Sequence, residues 1–196
     1  EIGMTLEKAL DQEQALAESP RPPAGPVRAI AGPQADHFDA ATRAAFVGAD
    51  YRVSADADRM GVRLEGPPLA HAGAREIVSD ATAPGSIQVP GNGQPIVLLA
   101  DAQTAGGYPK IATVIGADLA RIAQARPGQL LRFALIDAEE GERLARAAEA
   151  ETRALIASIR PLLPGGIDAA ALYEGNLVSG VLDALGPDAR PLPGAG

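Results

Sequence analysis

Residues 85–115 read GSIQVPGNGQPIVLLADAQTAGGYPKIATVI, and this stretch decides the fold. Short apolar runs at 86–89, 96–100 and 111–115 are separated by glycine, proline and small polar residues. Runs this short, β-branched and bounded by turn formers specify strands rather than helices. Gly91-Asn92-Gly93 reads as a tight hairpin turn between the first two of them. The same stretch carries Gln88, Asn92, Gln94, Asp101, Gln103, Thr104, Tyr108 and Lys110. So many polar groups and turns between strands are costly to fold. They are expected where the backbone must approach a ligand or a partner closely, which Gly106-Gly107 would permit.

Further strands are expected at 27–30, 51–54, 62–65 (after the Gly61 break) and 130–136. Asp39 can N-cap a short helix through Phe46, and Gly116-Ala117-Asp118 opens another to about Ala125, which Arg126-Pro127-Gly128 turns out of. Strands at about ten-residue spacing with Gly/Pro turns predict a barrel or sandwich over residues 27–136, with short helices at its ends. Residues 1–26 read as a peripheral linker. There Leu6, Leu10 and Leu16 fall on one side of a short helix, which the proline-rich stretch from Ser19 to Pro26 stops. Residues 137–185 read as a helical extension. Asp137 starts a long helix with Leu144, Leu155 and Ile159 at helical spacing, Pro161 and Pro164 end it, and Asp168 caps a further one toward Leu185. The Pro/Gly-rich tail at 186–196 is expected to be disordered.

The core must be aliphatic, because only 3% of the 196 residues are aromatic against 46% hydrophobic overall. A net charge of −8 argues against a nucleic-acid partner, which needs a basic face. With no cysteine the chain has no disulfide, thiol nucleophile or Cys-ligated zinc, which fits a reducing compartment. No apolar run approaches the roughly 20 residues of a membrane helix, and no signal-peptide core opens the chain. The expectation is a soluble, acidic, cytoplasmic protein without a membrane partner.

Motifs for chemistry are mostly missing. His37 and His71 stand alone, outside any metal-ligand spacing, so no metal site is expected. Neither a G-x-x-x-x-G-K-[ST] phosphate loop nor a G-x-S-x-G elbow occurs. Asp56-Ala57-Asp58-Arg59 reads by itself as a solvated loop with an exposed ion pair.

Four segments taken together resemble one family. They are VRAIAGPQ at 27–34, YRVSADADRMGVRLEG at 51–66, residues 79–115 with G-x-IQVP-x-x-GQPI and GGYPKIA-x-V, and RPGQLLRF at 126–133. In order and spacing they are similar to the carboxyltransferase A/B family, which covers the C component of 5-oxoprolinase, KipA, allophanate-hydrolase subunit 2-like proteins and part of urea carboxylase. The resemblance covers about residues 26–136, with NLVSGV inside 172–184 similar to a C-terminal extension of some members. The family's longer N-terminal half has no match here. Where the family usually reads D-R-Q-T-T-G-G, this chain has Asp101-Ala102-Gln103-Thr104-Ala105-Gly106-Gly107. Alanine cannot replace an always-charged bidentate guanidinium.

The resemblance implies a mainly β, cyclophilin-like barrel with peripheral helices. It also implies two partners, a KipI-like B component and a lactam-utilisation type A component. The implied reaction is ATP-driven opening of the lactam of 5-oxoproline to glutamate, with ATP held by the complex. A KipA-like regulator binding a KipI-like kinase inhibitor, or a biotin-dependent carboxyltransferase half-site, are the alternatives. No biotin-accepting A-M-K-M occurs, so biotin would come from another chain. Such a reaction needs fixed donors for an oxyanion and a positive group for phosphate. Lys110, Arg59 and the backbone N–H groups at Gly106 and Gly107 are the candidates, with Asp101 or Glu65 as base. Gln88, Gln94, Gln103 and Thr104 would give neutral hydrogen bonds. Tyr108 would shield a pocket lined by the loop from Asp101 to Lys110 and shared with the partner.

Overall fold

The computed structural model describes residues 14–16, 20 and 22–161. In chain order its strands are β1 (Gln14–Ala15), β2 (Val27–Ala31), β3 (Tyr51–Val53), β4 (Gly61–Glu65), β5 (Asp80–Ala81) and β6 (Ser86–Gln88). They continue with β7 (Ile96–Leu98), β8 (Ala105–Gly106), β9 (Lys110–Val114), β10 (Leu130–Leu131), β11 (Phe133–Leu135) and β12 (Arg160–Pro161). The helices are α1 (Ala40–Gly48), α2 (Gly116–Ala123) and α3 (Ala138–Ala157), with a 3-10 turn at Ala35–His37. Contacts divide the chain into two units, residues 1–17 with 158–196, and residues 18–157. In the first, β1 pairs antiparallel with β12.

The second unit is mainly β. Its eight-stranded sheet runs β10-β3-β4-β7-β6-β9-β2-β11. The two outermost strands, β10 and β11, are separated in sequence by Arg132 alone, so the edges of the sheet meet and the sheet is barrel-like. Leu130 and Leu131 pair with Arg52 and Tyr51, whereas Phe133–Leu135 pair parallel with Val27–Ala29. The single strand expected at 130–136 is therefore two. A sheet brought nearly to closure leaves little unpaired edge that could recruit other chains.

Alternation fills the interior. Val62 and Leu64 of β4, Val97 of β7, Ile87 of β6 and Ala112 and Val114 of β9 are buried in one aliphatic cluster. Three aromatics gather where the barrel closes. Phe46 of α1 stacks on Phe133 at 4.9 Å, and Tyr51 meets both rings at 6.0 Å. Burial pushes the Tyr51 phenol up to about 12. α1 begins as expected, with Asp39 Oδ1 accepting from the Thr42 N–H at 2.7 Å. α2 ends at Ala123, two residues before the expected Ala125.

Asp118, read from the sequence only as part of a helix opening, is a buried tie. Its carboxylate accepts from Arg28 N (2.7 Å), Arg28 Nε (3.0 Å), Arg28 Nη2 (2.5 Å) and Arg121 Nη1 (3.3 Å). Burial pushes this carboxyl up, but the Arg28 hydrogen bonds outweigh that and hold it below its ordinary value. The pair fastens α2 to the start of β2.

α3 runs from Ala138 to Ala157, so Leu144 and Leu155 lie on it and Ile159 lies past its end. The helix expected around Leu6, Leu10 and Leu16 is not seen at its described part, where Gln14–Ala15 forms β1 and Leu16 is exposed. Leu6, Leu10, the helix expected from Asp168 and the tail at 186–196 lie outside the described residues. Among the described residues no helix is long and apolar enough to cross a membrane.

Candidate functional site

One face of the barrel sheet carries an open cleft of about 1000 Å³. Its position follows from register. Val62, Val97 and Ile87 point into the core, so their neighbours Arg63, Ile96 and Gln88 point the other way. Arg63 is the cross-strand partner of Ile96, Ile96 of Gln88, and Gln88 of Lys110. Cross-strand partners share a face, so Arg63, Ile96 and Gln88 form one row across β4, β7 and β6, and a register shift in the β6–β9 ladder sets Lys110 at its end.

The row changes character along its length. At the β4 end Arg63 is exposed in the cleft lining, and its guanidinium makes no ion pair or hydrogen bond among the described residues. Ile96 gives an apolar floor. Gln88 is buried at 1% exposure yet borders the cleft, with Gln103 and Tyr108 beside it. Gln88 Oε1 meets Gln103 Nε2 at 3.5 Å, the outer limit for a hydrogen bond, and Gln88 Nε2 has no partner among the described residues. An orphaned buried donor costs about 1–3 kcal/mol and needs a reason.

At the β9 end the row is covered. Lys110 is 2% exposed, and its Nζ donates to Asp80 Oδ2 at 2.8 Å. Gln34 Nε2 donates to the same oxygen at 2.9 Å, and Gln34 Oε1 accepts from the Lys110 N–H at 3.3 Å. The Lys110 hydrogen bond first, then that of Gln34, lowers the Asp80 carboxyl to about 2. Asp80 is brought here by β5, which pairs with β8. Gly32 must be glycine because a Cβ would run into the Lys110 carbonyl. The motifs at 27–34, 79–89 and 106–115 therefore converge on one knot. The expectation that Lys110 offers an open charge to a pocket meets a different arrangement: its charge is already matched, and it does not line the cleft.

The other expected residues separate into three sets. Glu65, Gln88, Gln94, Gln103 and Tyr108 line the cleft. Gln94 is committed to Gly66, donating to its carbonyl and accepting from its N–H, both at 3.0 Å. Arg59 and Asp101 lie outside the lining and pair with each other at 2.9 Å, Arg59 being 87% exposed. Such a pair contributes little. Thr104, Gly106 and Gly107 serve the strap over the row. The Thr104 carbonyl accepts from Thr82 N, Gly106 pairs with Asp80, and the Gly107 carbonyl accepts from Ile77 N. A Cβ on Gly106 would run into Gln88 Nε2. Tyr108 is 38% exposed at the cleft, where a ring can screen bound atoms from water.

Arg63 is the residue that sequence reasoning missed. It lies inside DRMG-x-RLEG, and its alternation with Val62 and Leu64 marks it only as outward-facing. The charges along the cleft are Asp56, Asp58 and Glu65 against Arg63. Asp58 is occupied in its own turn, accepting from the Met60 and Gly61 N–H groups. Among the described residues no three carboxylates or imidazoles come together as metal ligands.

The chain is 46% identical over 114 residues to the C component of 5-oxoprolinase from Escherichia coli (strain K12), which covers 58% of this chain and 37% of that relative. The chain thus spans little more than a third of that relative's length. The crystal structure of TTHA0988 superposes with a TM-score of 0.52 at 40% identity, over 61% of this chain and 23% of that one. The urea carboxylase of Kluyveromyces lactis superposes with a TM-score of 0.62 at 21% identity, over 69% of this chain and 14% of that one, and so shares the fold. Residues 3–135 match the sequence model of the carboxyltransferase domain, subdomain A and B, and the chain belongs to that family.

Proposed function

We propose that this chain works as part of a 5-oxoprolinase-type assembly that opens the lactam of 5-oxoproline to glutamate. The observation that carries the reading is the 46% identity to a protein named as the C component of 5-oxoprolinase. The cleft supports it chemically. Ring opening adds water across the lactam C–N bond, so the site must hold a neutral amide and orient a water molecule. Carboxamides both donate and accept, as the lactam edge does. Of the two expected bases, Glu65 is exposed on the wall with no cation paired to it among the described residues, whereas Asp101 is engaged by Arg59, so Glu65 is the one placed to orient water.

The charges of this cleft disfavour a nucleoside triphosphate. Three carboxylates face one guanidinium, and Lys110 is closed off by Asp80. The excess of exposed negative charge around the cleft opposes a polyphosphate. ATP therefore belongs, in this proposal, to a partner of the lactam-utilisation or KipI-like kind, and this chain contributes the lactam site.

Co-expression with those two partners, followed by an assay of 5-oxoproline-dependent ATP hydrolysis, tests the proposal. Glutamate release that requires this chain is the expected result. A stable complex that binds the KipI-like partner but leaves 5-oxoproline untouched would overturn it in favour of a regulatory role.

A further inference from the structure

We infer that the row Arg63–Ile96–Gln88, with Gln103 above it, is a two-point recognition site for a small cyclic amide bearing one carboxylate; this rests on the lactam-opening reading and names the residues that select the substrate. The register places Arg63 and Gln88 on either side of Ile96, two strand spacings or about 9.5 Å apart at the backbone. Their side chains leave the sheet on the same face, and Ile96 leaves an apolar floor between them that suits the methylene edge of a small ring.

Each end has unused capacity of the right kind. Arg63 offers a planar fork of donors with no partner among the described residues, and that fork matches one carboxylate. Gln88 Nε2 is a buried donor without an acceptor among the described residues; it lies against Gly106, and a turn of the Gln88 carboxamide toward the cleft presents it to a ligand. Gln103, exposed above it, holds Gln88 only through the 3.5 Å contact, so a lactam edge can replace that contact without losing a strong bond. The amide carbonyl of the ligand then accepts from Gln88, and its N–H donates to Gln103. Gln94 makes this pairing with the backbone of Gly66, where one carboxamide both donates and accepts along a single peptide edge. Asp56 and Glu65 exclude a second negative charge, which sets the preference for a monoanion.

The test is titration calorimetry on the full chain with three probes: 5-oxoproline, its uncharged parent 2-pyrrolidone, and open-chain glutamate. Arg63→Met should weaken 5-oxoproline by about 10- to 100-fold, the loss of a charge-assisted contact, and leave 2-pyrrolidone unchanged. Gln103→Leu should weaken both lactams. Both positions are exposed, and the melting temperature of each variant checks the fold. Unchanged 5-oxoproline affinity in Arg63→Met, or no lactam binding by the wild-type chain, would overturn the inference. The lactamase reading is judged separately: a reconstituted complex that turns over 5-oxoproline with an unaltered KM after Arg63→Met sustains that reading and sinks this site. A complex inert toward 5-oxoproline sinks the reading, while the binding data still decide the site.

Discussion

Gly106→Ala should leave the fold standing and damage the site, whereas Gly32→Ala should damage the fold. Gly106 is not among the glycines at positive φ, so the outcome turns on space alone. A Cβ there meets Gln88 Nε2 and lies 3.3 Å from Thr82 Cγ2. Nε2 ends a flexible side chain that no hydrogen bond among the described residues holds at that atom, so Gln88 can swing toward the cleft. Overpacking relieved in this way falls at the low end of the usual range, about 1 kcal/mol. For a chain of this size that is about 2–4 °C in melting temperature. At Gly32 the obstacle is backbone: the Lys110 carbonyl and, at 2.8 Å, the Ala112 nitrogen. Neither moves without breaking the β2–β9 ladder, so about 3 kcal/mol, or about 6–12 °C, is expected. Scanning calorimetry on both variants, with a 5-oxoproline titration of Gly106→Ala, separates the two effects. Equal melting losses, or full ligand affinity in Gly106→Ala, would refute a mobile, ligand-facing Gln88.

Asp118→Asn should cost about 3 kcal/mol, the low end for breaking a buried pair, because Arg28 and Arg121 keep some contact with water. The folded Asp118 carboxyl titrates below its ordinary value, so its stabilisation is complete above about pH 4 and lost as pH falls through the lowered value. Urea melts of Asp118→Asn between pH 7 and pH 2 should therefore show a weaker acid-side decline than wild type. The Asp80 carboxyl, lowered to about 2, follows the same sign, and Lys110→Ala should lower the melting temperature while the folded protein keeps its lactam affinity. Phe46→Ala should cost about 3–5 kcal/mol, since it opens the ring cluster that covers the barrel closure; a chemical-denaturation midpoint unchanged by this substitution would contradict that packing.

The strands were legible because Val62, Leu64, Ile87 and Val97 alternate with outward residues or sit in short runs between turn formers. The closure at Arg132 was not, because LLRFALI, apolar but for Arg132, reads as one strand and nothing local says that its halves pair with β3 and β2. The β5–β8 pair was equally hidden, since Asp80-Ala81 and Ala105-Gly106 have no periodicity to detect. That pair decides the site: it carries Asp80 to a lysine thirty residues away and turns Lys110 from an open charge into a buried one. Gln88, Gln103, Glu65 and Tyr108 could be singled out by type and position. Arg63 could not, because its significance lies in sharing a row with Ile96 and Gln88, and register is not written in any one strand.

The most direct measurement of the central claim is a nitrogen-15 NMR titration of the full chain with 5-oxoproline, following side-chain signals. Saturable shifts of the Gln88 and Gln103 amide groups and the Arg63 Nε–H are expected together, with the Arg121 Nε–H at the Asp118 tie unmoved. Shifts that bypass all three residues, or none at millimolar ligand, would contradict a lactam site on this face.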